Sequence, residues 1–176
     1  MNFFELYNIP IQLNPDKAYI KQQYYLLSRQ HHPDFFSSKS PEDQAANLEI
    51  SSAVNKAFKT FQDQDAIIRY VLQLKELLED EEKYQLDPEF LMEVMDINEE
   101  LMDLDENDEV KVANIKTQVN ELQAAIYKPV QPVIEGYVEG STTTEALLQV
   151  KDYYYKKKYL QRILDKIDGM RNIAAH

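Results

Sequence analysis

The chain of 176 residues contains no cysteine. A disulfide framework, a thiolate zinc site and a cysteine nucleophile are thereby excluded, and a reducing compartment is permitted. Glycine is almost as scarce: Gly136, Gly140 and Gly169 are the only three, and no two share a phosphate-cradling loop, which removes the dinucleotide and P-loop readings. No apolar run approaches the length of a membrane span. Met1 leads straight into Asn2-Phe3-Phe4-Glu5, without the basic start and apolar core of a secretory signal or the arginine-rich opening of a transit peptide. The simplest expected location is therefore the cytoplasm, a processed organellar form being the alternative. His31 and His32 are adjacent, so they cannot share a metal-binding helix face, and no HExxH spacing exists. Asp103, Asp105 and Asn107 begin like a calcium loop, but Asp108 and Asn114 occupy the positions where glycine and glutamate are needed. Ser28 and Ser37 lie near the histidines, yet nothing supplies an oxyanion hole or a third, orienting group. The expectation is a protein with no catalytic residues, metal or cofactor.

What the chain does carry is helical periodicity. Its 44% hydrophobic content is enough for one or two packed cores, and few glycines beside long 3.6-residue repeats predict an all-α protein. Asn14-Pro15 reads as an N-cap followed by proline at the first helical position, opening a helix with Ile20, Tyr24 and Leu27 on one face that ends near His31. Ser40-Pro41-Glu42-Asp43 repeats that start, followed by Ile50, Ala53, Ala57, Phe58 and Phe61 at helical spacing. Between the two helices stands His32-Pro33-Asp34. Pro33 fixes its own φ and pushes His32 into an extended conformation, so the tripeptide forms a stiff, exposed corner.

Charge divides the chain. Residues 1–75 hold eight Lys plus Arg and eight Asp plus Glu, so the net charge of minus twelve lies wholly in 76–176, where 19 minus 8 leaves 11 bases against 31 minus 8, or 23, acids. Between Glu76 and Glu109 sixteen acids face one base, Lys83. Asp65 to Leu78 reads as a further helix burying Ile67, Ile68, Val71, Leu74 and Leu78, and Glu79-Asp80-Glu81-Glu82 as a solvated joint. The predicted division is 1–75, a joint at 76–86, and a three-helix bundle at 87–176. In that bundle Asp87-Pro88 starts a helix bearing Leu91, Val94, Met95, Asn98, Leu101 and Met102. Asn107 to Tyr127 forms a second, with Val112, Ile115, Val119, Leu122 and Ile126 inward, and Pro129 and Pro132 kink or interrupt the chain beyond it. Thr142 and Glu145 have capping-box spacing for a last helix running to about Asp168, with Gly169 as its C-terminal cap and a frayed tail ending at His176.

Two helices bracketing His32-Pro33-Asp34, a short first helix with Phe3, Phe4 and Leu6, and Asn55-Lys56-Ala57-Phe58 on the third resemble a J-domain over about residues 2–75. J-domains are the modules by which DnaJ-type co-chaperones stimulate a DnaK-type ATPase. The resemblance implies chaperone contacts at His32, Pro33 and Asp34, with Lys21, Arg29 and Tyr24 on the second helix. Only Lys17, Lys21 and Arg29 are available where many J-domains carry a dense basic stripe, which suits a dedicated partner, and Phe35 stands where many place lysine.

Phe90-Leu91-Met92-Glu93, followed by Met95, Asp96, Glu99 and Asp103, is similar to the segment with which HscB-like co-chaperones of iron-sulfur cluster assembly grip an IscU-type scaffold protein. Tyr159 on the last helix stands where that family has an aromatic residue in the same patch. This resemblance spans nearly the whole chain and implies an L-shaped pair of domains, an HscA- or DnaK-type ATPase partner, a scaffold partner, and no enzymatic activity of its own. Some relatives have an N-terminal cysteine metal site, which is impossible here. From the residues alone two readings stand. Leu91, Met92 and Met95 are either bundle core with the acids as its wet face, or apolar anchors beside carboxylates that suit a partner with a hydrophobic dent and basic surroundings. The competing function is a helical module whose acidic bundle binds a basic partner without ATPase coupling. Lys156-Lys157-Lys158 after Tyr153-Tyr154-Tyr155 lies in an acidic region, so nucleic-acid binding is not expected. It reads as a solvated helix face whose lysines pair with nearby carboxylates.

Overall fold

The computed structural model describes residues 1–105 and 107–174, so the tail at His176 lies outside the described residues. Every regular element among them is helical, in agreement with the all-α expectation: α1 (Phe3–Leu6), α2 (Lys17–Gln30), a 3-10 turn (Pro33–Phe35), α3 (Pro41–Phe61), α4 (Gln64–Leu74), α5 (Pro88–Met102), α6 (Glu109–Tyr127), α7 (Gln131–Gly136) and α8 (Thr144–Ala174). The chain divides into two compact units, residues 1–76 with 134–143, and residues 77–133 with 144–176. Residues 77–86, expected as a joint, fall within the second unit, and 134–143, expected in the bundle, fall within the first.

In the first unit Asn2 and Glu5 cap α1 reciprocally. Asp16, rather than Asn14, caps α2: its carboxylate accepts the Ala18 N–H at 2.9 Å, and the helix starts two residues later than expected. Ser40 and Pro41 open α3 as expected, with the Asp43 N–H donating to Ser40 Oγ at 3.2 Å. Tyr24 of α2 stacks on Phe58 of α3, their centroids 4.1 Å apart, while His31 at the end of α2 meets Asn47 near the start of α3. The two helices therefore run antiparallel. Their inner faces enclose Phe4, Tyr7, Ile20, Val54, Phe61 and Ile68, each no more than 1% exposed. Burying a side chain of this size stabilises by roughly 1.5–3 kcal/mol. The Tyr7 hydroxyl would be an orphan donor in this core, but it donates to the Val54 carbonyl at 2.8 Å. Burial pushes its ionisation well above the ordinary tyrosine range. The buried stripe of α3 is Asn47, Val54, Ala57 and Phe61, so Ile50, expected inside, is 38% exposed.

Helix α4 buries Ile67, Ile68, Val71 and Leu72 and stops at Leu74, short of the expected Leu78, because Glu76 adopts a φ of 57° that no right-handed helix can accommodate. In the segment 134–143 Ile134 is buried, and the Glu139 carboxylate accepts from the Lys75 ammonium and, at 2.6 Å, from the Tyr137 hydroxyl. Those two hydrogen bonds, the lysine's foremost, hold Glu139 below the usual carboxylate range.

In the second unit α5, α6 and α8 share one core in which Phe90, Val94, Ile97 and Leu101 face Val112, Ile115 and Val119 and Leu160, Ile163 and Ile167. Each set recurs at the three- and four-residue steps of an amphipathic helix. Helix α8 does not open on a Thr142–Glu145 box; Thr142 Oγ1 instead accepts the Val138 N–H at 2.9 Å. Nor does Gly169 end it. That residue keeps an ordinary φ, and the helix runs through it to Ala174. Residues 82–87 lie as a strap along α8. Glu82, expected as part of a solvated joint, accepts from Lys151 Nζ at 2.8 Å and the Tyr155 hydroxyl at 3.0 Å, and the lysine's bond draws it below the usual carboxylate range. Tyr84 stacks on Tyr155 at 4.5 Å and donates to Asp152 at 2.8 Å. Lys156 pairs with carboxylates as expected, 2.8 Å from Asp152 and 3.8 Å from Asp87, but its side chain is 16% exposed rather than fully solvated.

Candidate functional sites

The corner at residues 31–34 is built by short-range chemistry. His32 adopts φ −63° and ψ 132°, the extended conformation that a following proline demands, and Pro33 opens the 3-10 turn. The Asp34 N–H donates to His32 Nδ1 at 3.3 Å. As acceptor that nitrogen carries no proton, so in this geometry the ring is neutral with its hydrogen on Nε2. The Asp34 side chain is 89% exposed, and one of its carboxylate oxygens lies 3.5 Å from His32 Nδ1. Among the described residues the carboxylate is tied to nothing but its own corner.

One residue of this site escaped the sequence reading. Asn47 is 4% exposed, a buried polar group in the first unit, and its amide donates to the His31 carbonyl at 2.9 Å while its oxygen lies 3.1 Å from His31 Nδ1. Since the amide nitrogen is committed to the carbonyl, the oxygen must accept, and His31 Nδ1 carries the proton. Two hydrogen bonds therefore fasten the end of α2 to α3 immediately before the corner. The signal was present: Asn47 continues the inward spacing of Val54, Ala57 and Phe61, and a polar side chain on a buried face requires partners.

Along the exposed side of α2, Lys21 and Arg29 are solvent-facing, whereas Tyr24 is half-buried against Phe58 and its hydroxyl donates to Asn55 at 3.3 Å. Tyr25 and Leu26 are 55% and 51% exposed and line a shallow groove of 510 Å³ with Gln22, Arg29 and Gln30. Tyr24 thus stands apart from the exposed candidates. It braces the helix pair.

On α5 the core takes Phe90, Val94, Ile97 and Leu101, one step round from the expected face, so Leu91, Met95 and Met102 point outward. At about 100° per residue, Leu91, Met95 and Met102 form a band on the flank next to α8, Met92 and Glu99 lie at the back, and Asp96 and Asp103 come next toward the α6 side. Two contacts fix those sides: Asn98 donates to the Tyr159 hydroxyl of α8 at 2.9 Å, and Gln118 of α6 donates to Glu100 at 3.1 Å. Leu91, Met92 and Met95 expose 39%, 68% and 54% of their surface, and Asp96, Glu99 and Asp103 are exposed beside them. Of the two readings left open for these residues, the core assignment fails. Tyr159 is half-buried, edge-on to Phe90 at 6.0 Å, and borders the apolar band. The structure brings these seven residues to one face of the second unit. Among the described residues no cluster of three metal-ligating side chains occurs, and no helix is long and apolar enough to cross a membrane.

Known proteins resemble the chain in both of its parts. The family model for the HSCB C-terminal oligomerisation domain matches residues 86–168. A co-chaperone protein HscB homolog of Acinetobacter baumannii is 30% identical over 171 residues, covering 96% of this chain and 89% of that protein. The structure of the chaperone HscB from Vibrio cholerae covers 98% of both chains with a TM-score of 0.72 and 25% identity. The crystal structure of the human co-chaperone protein HscB aligns with a TM-score of 0.78 and 27% identity, over 97% of this chain and 82% of that one. With the likeness extending across both units, the chain belongs to the HscB family of co-chaperones.

Proposed function

We propose that the first unit is a J-domain that stimulates the ATPase of an HscA- or DnaK-type chaperone, and that the second unit holds an IscU-type iron-sulfur scaffold and delivers it to that chaperone. The observation that carries the first half is the Asp34 carboxylate, 89% exposed on a corner whose backbone is fixed from both sides. Asp34 pairs with an arginine of the ATPase, a geometry in which two N–H groups meet two oxygens, while Lys21 and Arg29 orient α2 on an acidic chaperone surface. The chemistry belongs to the partner. Nothing in this reading requires a cofactor or a metal of the chain's own, and it places the protein in the cytoplasm.

The second half rests on the outer face of α5, where exposed Leu91, Met92 and Met95 lie beside Asp96, Glu99 and Asp103. Single exposed apolar residues are ordinary, but three on adjoining positions of one helix, edged by carboxylates, suit a partner surface with an apolar dent and basic rim. Joining both sites in one chain raises the effective concentration of the scaffold at the chaperone, so stimulation and delivery become one event.

ATP turnover by the cognate chaperone tests the first half: His32→Gln or Asp34→Asn should abolish stimulation, and unchanged stimulation eliminates the role. Replacing Leu91, Met92 and Met95 by alanine tests the second half, since scaffold binding should be lost while ATPase stimulation persists. A module that only scaffolds a basic partner would show no stimulation by the wild type at all.

A further inference from the structure

We propose that Met92 and Met95 make the scaffold-gripping face of α5 a site of reversible oxidation, at which conversion of the thioethers to sulfoxides releases the bound protein. The inference rests on the proposed scaffold binding. The chain has five methionines and no cysteine, so every sulfur it owns is a thioether and no thiol competes for oxidant. Three of the five stand on α5, and all three are open to solvent: Met92 at 68%, Met95 at 54% and Met102 at 87%. With Glu99 they lie along one stripe at steps of three, four and three residues, which is a single face of a helix.

The inner face of the same helix is made of Phe90, Val94, Ile97 and Leu101, none of which a mild oxidant attacks. Oxidation therefore changes the surface and leaves the core alone. In the reaction a sulfur lone pair attacks one oxygen of a peroxide. The O–O bond breaks and an S–O bond forms. With hydrogen peroxide the second oxygen leaves as water, so sulfur gives two electrons and the peroxide accepts them, with no net proton change. A thiol-dependent sulfoxide reductase reverses the step. The product replaces a soft apolar group with a strong, uncharged dipole that must be stripped of water to enter an apolar dent. The carboxylates of Asp96, Glu99 and Asp103 keep their charge, and Leu91 keeps its shape. Affinity should fall by weakened anchoring, with long-range attraction intact.

The test treats the full-length protein with hydrogen peroxide. Peptide mass mapping should place added oxygen on Met92, Met95 and Met102 before the half-buried Met170, with helical content unchanged by circular dichroism. Calorimetric titration against the purified iron-sulfur scaffold should show about tenfold weaker binding after oxidation, as expected for desolvating two new dipoles. Methionine sulfoxide reductase should restore it. A Met92→Leu/Met95→Leu variant, close to volume-conserving, should bind the scaffold with the same affinity before and after peroxide, its own untreated affinity serving as the reference. Equal binding before and after oxidation overturns this inference alone, as does peroxide sensitivity of the leucine variant. Failure of the untreated protein to bind the scaffold overturns the scaffold reading and this inference together.

Discussion

The corner at His32-Pro33-Asp34 and the outer face of α5 are both solvent-exposed, yet they are held in place by opposite means. The corner depends on a few directed bonds: a proline ring, the Asp34 N–H on His32 Nδ1, and the double hydrogen bond between Asn47 and His31. The α5 face depends on no polar contact of its own anchors. Phe90, Val94, Ile97 and Leu101 anchor the helix from behind, and Leu91, Met92 and Met95 ride on it. A site built on directed bonds offers one geometry and fails abruptly. A site built from flexible apolar side chains on a rigid support adapts, and fails by degrees.

That contrast is sharpest at Asp34. Asparagine keeps its size and removes its charge, and ATPase stimulation should drop about a hundredfold or more, as when one partner of a charge-assisted pair is lost. Unfolding of the chain should be unaffected, because the carboxylate supports nothing internal. Asn47→Leu breaks the comparison from the other side. It strands the His31 carbonyl and ring nitrogen, should destabilise the first unit by about 1–3 kcal/mol, and should reduce stimulation with His32 and Asp34 both intact. Denaturant unfolding read alongside ATP turnover checks it. If stimulation survives that destabilisation, the clamp does not position the corner.

On the second unit, Leu91→Ala, Met92→Ala and Met95→Ala should each weaken scaffold binding by roughly tenfold or less and shift stability by no more than about 0.5 kcal/mol. Val94→Ala, one turn away on the inner face, should do the reverse, costing roughly 1–3 kcal/mol of stability before binding suffers. The smallest effect concerns acid. Glu82 and Glu139 both titrate below the ordinary glutamate value of 4.5 in the folded chain. Their stabilisation is complete above that value and is lost as pH falls through the lower folded value. Both side chains are partly exposed, so each contributes under about 1 kcal/mol. Thermal melts from pH 6 downward should steepen in acid, and Glu82→Gln and Glu139→Gln should each remove part of that slope.

How much of this was legible beforehand depended on the range of the physics. Pro33, Ser40-Pro41 and Asp87-Pro88 act within a turn of the chain, and the corner and the starts of α3 and α5 form where those residues require. Periodicity placed the helices but was off by one step on α3 and α5, because Ile50, Leu91 and Met95 are as apolar as the residues that are buried. Hydrophobicity alone does not say which of two adjoining stripes finds a partner. Asp16 displaced Asn14 as a cap since either carries the needed acceptor. Asn47, the strap from Glu82 to Asp87 and the bond between Lys75 and Glu139 link residues 16 to 73 positions apart, and such pairings have no local signature.

The attachment of residues 134–143 to the first unit orders events during synthesis. As the polypeptide leaves the ribosome, helices α1 to α4 can assemble at once, yet Lys75 must wait for Glu139, 64 residues later, to arrive. By then α5 and α6 have emerged. The amino-terminal half is therefore sealed only after most of its neighbour exists, and a shortened chain ending at Glu76 would leave that seam open.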